Sequence, residues 1–332
     1  MGDPVEQTMT PARPPARTAA ARPGAALLTA AALLVGVGGL LLVCLTLPAP
    51  GEGTAPDARA WLTGILALLA VGALGVRGAA QGMSRAARVA PPLLTGLLAV
   101  LAAEGLLRAY AVPAGLIPTP TRVLAALWNA RTVLLQDTYT TFVLEALLGF
   151  LAGTVLGLAL ALLVVRFRFL ERGLLPYAAL FSSIPIVALA PVIVKAIGLD
   201  WPSKTVVVAV TVLFPVVVGA VRGLQSASPL HLDLMHTYAA APTRTFLDVR
   251  VPTALPFVFG ALKVASTLAL ISAIVAEFFG TNGHGLGFRI QIEVGRFGLD
   301  VVWAAIVLAS IAGIAFFSLV SAAETRFLPR RS

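Results

Sequence analysis

Long apolar blocks alternate with short polar breaks along most of this chain. A membrane-spanning helix needs about 20 largely apolar residues, and the Ala, Leu and Val runs lack the period-two alternation of barrel strands. The pattern therefore predicts an all-α polytopic membrane protein with about eight transmembrane helices. The eight predicted helices cover residues 25–47, 60–76, 89–112, 140–165, 173–198, 204–222, 255–279 and 300–323.

Composition supports the same class. Hydrophobic residues make up 58% of the chain and charged residues only 12%, whereas soluble domains carry about 25% charged residues. The single cysteine, Cys44, excludes a disulfide framework, and the three histidines are dispersed. We therefore expect no metal site and no catalytic site in this chain, since no Ser/His/Asp grouping suggests hydrolysis.

The formal charge of +9 is explained by membrane topology rather than by nucleic acid, because the arginines are scattered between apolar blocks. An eight-span arrangement with the N-terminus inside gives each of the five inner segments three arginines. Both termini and the polar segment 226–256 are then cytoplasmic. The five triplets are Arg13, Arg17 and Arg22; Arg77, Arg85 and Arg88; Arg166, Arg168 and Arg172; Arg222, Arg244 and Arg250; and Arg326, Arg330 and Arg331.

The two ends of the chain differ in composition from the apolar blocks. Residues 1–24 are rich in Pro, Ala, Thr and Arg and have no hydrophobic period, which predicts a disordered cytoplasmic tail. The apolar run 25–47 is longer than a usual signal-peptide core, so we interpret it as an uncleaved anchor. Residues 326–332 form a basic cytoplasmic tail.

The segment 226–256 is too long for a passive connection between two spans. Leu232, Met235 and Ala239 share one helical face, and Pro242 then interrupts the helix. We expect two short helices separated by a turn, which present Met235 and Tyr238 to a groove on a partner protein. The alternative is an amphipathic loop that lies on the lipid surface.

The same segment resembles the cytoplasmic coupling loop of permeases from bacterial ABC importers. That pattern reads Glu-Ala-Ala, three variable residues, Gly, nine variable residues and Ile-x-Leu-Pro. The matching sequences here begin at Asp233 and Val249. The resemblance implies contact with an ATPase by residues Asp233, Met235, Tyr238, Ala239, Arg244, Val249, Val251 and Pro252.

Two positions depart from this pattern. Leu234 and Met235 stand where two alanines are common, and Ala239 replaces the glycine. Since alanine tolerates a positive φ poorly, we expect the turn to lie later, near Pro242, or to avoid a left-handed residue at 239. Asp233 retains the acid and is expected to favour a helix N-terminus.

The resemblance extends over roughly residues 90–325 and is to the nitrate, taurine, sulfonate and pyrimidine-precursor group of permeases. It implies a six-helix type I permease core over 89–325, preceded by two extra helices within 25–88. It also implies a non-catalytic subunit that binds no cofactor, with ATP used by a cytoplasmic ABC ATPase dimer. The other implied partners are an extracytoplasmic solute-binding protein and a second permease copy.

Two other classes of membrane protein fit an apolar helical chain. One is a secondary transporter driven by an ion gradient, which commonly has inverted repeats and midplane ion-coupling residues. The other is a non-transporting membrane scaffold. The sequence shows no clear repeat, so the ATP-driven importer is the favoured interpretation, with a solute of the pyrimidine or thiamine-precursor, riboflavin-like, sulfonate, taurine or nitrate type.

Prolines and serines mark a possible translocation path. Prolines within the predicted helices 173–198 and 204–222 remove backbone hydrogen bonds, which membrane helices tolerate where the backbone faces protein or a water-filled cavity. The alternative is a packing kink in which serines bond to the helix's own carbonyls. The residues concerned are Ser182, Ser183, Pro185, Pro191 and Pro215.

Charged residues within the spans need an explanation, because intramembrane charges are costly. Glu277, in the Ala-Glu-Phe step that the permease group also carries, either holds an outer gate or caps the end of its helix, and Glu145 invites the same two interpretations. Lys263, Glu104 and Arg108 are expected to extend to the interface.

Glycines give two weaker signals. Gly149, Gly153 and Gly157 recur every four residues, which favours close helix packing. The glycine-rich stretch 282–287 lacks the Lys-Ser/Thr of a phosphate loop, so we interpret it as an outer hairpin.

Overall fold

The computed structural model describes residues 23–48, 57–80, 85–167, 169–170 and 185–328. Within these ranges the chain forms helices and turns without a strand, and seven helices are long and apolar enough to cross a membrane. The prediction of an all-α membrane protein is confirmed. Residues 173–184 of the predicted span 173–198 lie outside the described residues, and its described part contains a helix over Ile186–Ile197, which is too short to cross alone.

Two compact units divide the chain, residues 1–111 and residues 112–332. The first contains helices α1 (Pro23–Thr46), α2 (Ala58–Ala79) and α3 (Arg85–Ala109). Helix α3, which the prediction includes in the core 89–325, packs with α1 and α2. Their shared core includes Leu40 of α1, Ile65 of α2 and Leu98 of α3, all buried.

Glu104 and Arg108 do not extend to the interface as expected. The Glu104 side chain is buried and accepts a hydrogen bond from Arg108 Nε at 2.6 Å. Arg108 also donates to the carbonyl oxygens of Cys44 and Leu47, at 2.9 and 3.2 Å, at the end of α1. The ion pair therefore satisfies carbonyl groups that a helix C-terminus leaves without partners.

The second unit contains ten helices in its described residues. They are α4 (Pro120–Asn129), α5 (Arg131–Tyr139), α6 (Leu148–Arg166), α7 (Ile186–Ile197), α8 (Trp201–Gln225), α9 (Pro229–Thr237), α10 (Pro242–Thr245), α11 (Val251–Glu277), α12 (Leu286–Gly295) and α13 (Leu299–Phe327). Two π-helical segments, Thr140–Leu147 and Phe246–Arg250, join α5 to α6 and α10 to α11.

These joints produce two continuous helical rods, Arg131–Arg166 and Pro242–Glu277, of 36 residues each. A rod of that length extends about 54 Å, at 1.5 Å per residue, whereas the hydrocarbon core is about 30 Å thick. One end of each rod therefore extends beyond the hydrocarbon region.

Helix α8 is the most buried span of the second unit and lies against α6 and α11. Small residues allow the close approach to α6. A Cβ added to Gly149 would lie 2.5 Å from Val208 Cβ, and one added to Gly153 would lie 2.5 Å from Ala209 O. A Cβ added to Gly157 would lie 3.0 Å from Leu213 O and 3.0 Å from Val216 Cβ. The three glycines thus share one contact surface, and larger side chains there would separate the helices.

Candidate functional site

The segment 226–256 folds as two helical pieces joined by a turn. Pro229 begins α9 and Pro242 begins α10, and both stand in the first turn, where a missing N–H is tolerated. Pro242 thus starts the second piece, whereas the first piece ends earlier, at Thr237. Helix α10 continues through the π-helical segment into α11, so the loop's second half is rigidly connected to a transmembrane helix.

The turn at the end of α9 lies where the glycine of the permease pattern stands, and our expectation for Ala239 was wrong. Ala239 adopts a left-handed conformation with φ of 48°. Its N–H bonds to His236 O at 2.9 Å, and the N–H of Ala240 bonds to Met235 O at 3.0 Å. These two hydrogen bonds form a Schellman motif, which stabilises the turn in spite of the alanine side chain.

Helix α9 has no buried residue, and only Leu232 and Met235 on it are half-buried. Three apolar side chains of α9 and its cap are exposed: the exposed fraction is 74% for Leu230, 51% for Leu234 and 76% for Tyr238. Isolated exposed apolar residues are normal on a surface, but these three are concentrated on one short helix and its cap. Such a helix is suited to insertion into a groove on another protein.

A groove of about 930 Å³ runs beside α9, between the loop and the end of α13. Three of the predicted coupling residues, Met235, Val249 and Pro252, line it. Tyr238, Ala239 and Arg244 do not line this groove and lie on the exposed part of the loop. Val251, the remaining apolar position of the motif, is half-buried at the start of α11.

Three charged residues of the loop, Asp233, Arg244 and Asp248, are solvent-exposed. Asp233 lies one turn inside α9 rather than in its first turn, so the expected stabilisation of the helix N-terminus is not found. Arg244 Nε lies 3.2 Å from Asp248 Oδ2, and both side chains are more than half exposed. Exposed pairs of this kind contribute little to stability.

The prolines of the predicted translocation path occupy different helices. Pro185 precedes the first residue of α7 and therefore starts that helix instead of bending it. Pro191 lies inside α7 and Pro215 inside α8. Ser182 and Ser183 lie outside the described residues.

Glu277 lies at the end of α11 with its side chain completely buried. Its carboxyl group accepts hydrogen bonds from Thr141 Oγ1 at 2.6 Å, from Gly287 N at 2.5 Å and from Phe288 N at 3.4 Å. The last two donors belong to the first turn of α12. Glu277 therefore caps the next helix along the chain, since an acceptor at a helix N-terminus satisfies free N–H groups.

Asp137 and Thr141, on the helical rod Arg131–Arg166, complete this cap. Asp137 Oδ1 accepts from Gly285 N at 3.0 Å, and Thr141 Oγ1 accepts from Leu286 N at 2.8 Å. Asp137 also lies 2.8 Å from Arg289 Nε. The stretch that we interpreted as an outer hairpin is thus the capped start of helix α12. We call Asp137, Thr141, Glu145 and Glu277 the buried cap cluster.

The backbone of the capped turn requires glycine. Gly285 has φ of +124°, and a Cβ there would lie 2.4 Å from the Glu277 carboxyl group. At Gly287 a Cβ would lie 2.3 Å from Ile274 O. The glycine-rich sequence is therefore explained by close approach to Glu277.

Glu145, the fourth member of the buried cap cluster, and Lys204 are two more buried ionisable residues near Glu277. The Glu145 side chain is buried and contacts Glu277, while its Oε2 atom has no hydrogen-bond partner. Lys204, also buried, donates to the main-chain oxygens of Leu199 and Asp200. These residues place three ionisable side chains close together at one end of the spans.

Sequence reasoning missed Asp137, Thr141 and Lys204. The only sign of these residues in the sequence was that Asp137 and Lys204 stand beside apolar blocks. Sequence reasoning also missed the partner of Lys263, whose Nζ lies 2.5 Å from Glu324 Oε2 of α13. Lys263 is thus held by an ion pair between two spans rather than extending to the interface alone.

Comparison with known proteins identifies a protein family and several relatives of this chain. The family model described as "Binding-protein-dependent transport system inner membrane component" matches residues 153–332. A probable ABC transporter permease protein of Haemophilus influenzae is 35% identical over 208 residues, which cover 62% of this chain and 84% of that protein.

Some of the relatives have names that specify a solute. The formylaminopyrimidine transport permease protein ThiX of Halalkalibacterium halodurans is 31% identical, over 65% of this chain and 86% of its own length. The riboflavin transport system permease protein RibX of Chloroflexus aurantiacus is 29% identical, over 64% of this chain and 79% of its own length.

Proposed function

Because the chain belongs to the family of inner membrane components of binding-protein-dependent transport systems, we propose that it forms the translocation path of an ATP-driven importer. The observation that carries this proposal is the exposed helix α9 with its Schellman turn, in register with the coupling-loop pattern. In this proposal the chain binds no cofactor, and ATP is bound and hydrolysed by a cytoplasmic ATPase pair.

The loop is proposed to transmit force because of its connection to α11. Helix α10 continues into α11 without a break, so a push on the loop acts directly on a transmembrane rod. Closure of the ATPase pair would shift the loop and change which side of the membrane the path faces. A second permease copy and an extracytoplasmic solute-binding protein complete the proposed complex.

The proposed orientation places the loop and both termini in the cytoplasm, and the buried cap cluster near the outer surface. The arginine distribution supports it. A test uses the single cysteine, Cys44. In a Cys44→Ala background, Thr237→Cys should be protected in intact cells from a membrane-impermeant thiol reagent, while Asn282→Cys should react. The reverse labelling would contradict the orientation.

For the solute we propose a small nitrogen-containing ring compound of the pyrimidine-precursor or riboflavin type, ahead of sulfonate, taurine or nitrate. Support comes from the two relatives whose names specify such solutes, since their identities of 31% and 29% exceed the 24% of a nitrate import permease protein of Synechocystis. Uptake of labelled formylaminopyrimidine, riboflavin and nitrate by the reconstituted complex would rank them. Uptake of nitrate alone would overturn this order.

The alternative of an ion-gradient transporter draws support from one observation, the group of Glu145, Lys204 and Glu277 in the spans. Against it, Glu277 is already occupied by donors from α12 and Thr141. Vesicles that contain the complex distinguish the two functions. Uptake should stop when the ATPase is inactivated, and uptake that persists on an ion gradient alone would refute the importer proposal.

A further inference from the structure

A groove of about 550 Å³ lies in the first unit, between α2 and α3. It is lined almost entirely by apolar side chains, and small residues form much of its wall. Ala73 and Ala99 are exposed, so the groove is open along its side. The lining residues are Leu69, Ala73, Val76, Arg77, Thr95, Leu98, Ala99, Ala102, Ala103 and Leu106.

The length of the groove matches one leaflet of a membrane. From Leu69 to Arg77 the lining follows α2 for about 12 Å, and from Thr95 to Leu106 it follows α3 for about 17 Å, at 1.5 Å per residue. One leaflet contributes about 15 Å of hydrocarbon, half of a core that is about 30 Å thick. An extended acyl chain of one lipid therefore has the length to lie along the groove.

One end of the groove is positively charged. Arg77 lines it near the end of α2, is exposed, and has no hydrogen-bonding or charged partner within the described part of the chain. Arg85 and Arg88 occupy the first turn of α3, six residues beyond the last residue of α2. Basic residues at the membrane end of helices attract anionic lipid headgroups.

A second copy of this unit fits the charge less well. If two copies are inserted in the membrane in the same orientation, residues at the same depth face each other. The described acidic residues of the unit, Asp57 and Glu104, lie at the opposite ends of α2 and α3 from Arg77 and so cannot pair with it. Glu104 is already paired with Arg108. A phosphate group at headgroup depth supplies the missing negative charge.

We propose that the groove binds one anionic phospholipid, with an acyl chain along the alanine-rich wall and the phosphate paired with Arg77. The proposal concerns only the first unit and goes beyond the transport function. It gives the N-terminal helices a ligand of defined chemistry, a lipid with a negative headgroup.

The test measures lipid retained by the purified full-length chain after reconstitution in nanodiscs of mixed phosphatidylcholine and phosphatidylglycerol. After extraction into mild detergent, native mass spectrometry counts the bound phosphatidylglycerol. Wild type should retain about one per chain. Arg77→Gln should weaken retention by about five-fold, since one basic residue near the surface contributes roughly that factor. Ala99→Phe should fill the groove and abolish retention.

Two matched variants serve as controls. Arg59→Gln removes an exposed arginine at the other end of α2, and Ala67→Phe enlarges an exposed alanine of α2 outside the groove. Both should retain phosphatidylglycerol as wild type does. If Arg77→Gln and Ala99→Phe retained as much phosphatidylglycerol as wild type, the proposal would be overturned. Wild type that retained phosphatidylcholine and phosphatidylglycerol equally would overturn it as well. A cross-link from Ala99→Cys to a second copy in the membrane would also overturn it.

Discussion

The 226–256 loop and the buried cap cluster are two places where polar residues gather in an otherwise apolar second unit. In the loop, α9 has no buried residue, and Leu230, Leu234 and the capping Tyr238 are exposed. In the cluster, Asp137, Thr141 and Glu277 are fully buried and hydrogen-bonded to the start of α12. The first region has the exposed apolar surface that we propose binds the ATPase, and the second holds its own chain in place.

Charge alone does not separate these roles. Asp233 and Glu277 are both acids within sequence patterns of the permease group, yet one is exposed on a short helix and the other is enclosed by backbone donors. Burial and partners distinguish them: an exposed acid can be exchanged at little cost to folding, whereas a buried acceptor leaves donors unsatisfied when it is removed. Substitutions in both regions test this contrast.

The largest stability effect is expected at Glu277. Glu277→Leu removes the acceptor for Thr141 and for the α12 amides, so we expect a loss of about 3 kcal/mol from buried donors left without partners. Thermal unfolding of the purified chain in detergent measures it. Glu277→Gln keeps an acceptor oxygen and should lose less. In the loop, Asp233→Leu should change stability by less than about 0.5 kcal/mol. Equal losses for Glu277→Leu and Asp233→Leu would remove the contrast.

A smaller and opposite effect is expected at Ala239. Since a left-handed residue with a Cβ costs about 1 kcal/mol relative to glycine, Ala239→Gly should stabilise the end of α9. Amide hydrogen exchange of residues 238–240 should slow by about five-fold. The control is Ala241→Gly, because Ala241 has a negative φ of −57° and gains nothing from glycine. Faster exchange in Ala239→Gly would count against the Schellman turn.

The smallest effect is expected at Arg244. Its ion pair with Asp248 is exposed and spans one helical turn, so Arg244→Ala should cost about 0.5 kcal/mol or less. A double-mutant cycle with Asp248→Ala measures the coupling. A coupling above about 1.5 kcal/mol would mean that the loop, like the cap cluster, contains an interaction that stabilises the fold.

The sequence was sufficient to predict the helical spans, because a run of about 20 apolar residues has few alternatives to a membrane helix. It also located the loop and its two helical pieces, since Pro242 and the Leu232 and Met235 spacing are local signals. The same local reasoning failed at Ala239, where the hydrogen bonds donated by Ala239 and Ala240 outweigh the intrinsic cost of a left-handed alanine.

The buried cap cluster was beyond sequence reasoning for a different reason. Thr141 and Glu277 are 136 residues apart, and Asp137 and Gly285 are 148 apart. No periodicity connects such positions, so helix α12 was interpreted as a hairpin and its capping residues went unrecognised. Arg108, which caps α1 from 64 residues away at Cys44, was misinterpreted for the same reason.

The central claim, that the 226–256 loop binds the ATPase, is tested most directly by copurification of the ATPase with loop variants. Asp233→Arg and deletion of residues 232–246 should abolish association while membrane insertion is unchanged. Tyr238→Ala should weaken it by about ten-fold or more, as loss of an exposed aromatic anchor does. Trp128→Ala, at an exposed aromatic residue of α4, should have no effect. Normal copurification of the ATPase with Asp233→Arg or with the deletion would contradict the claim.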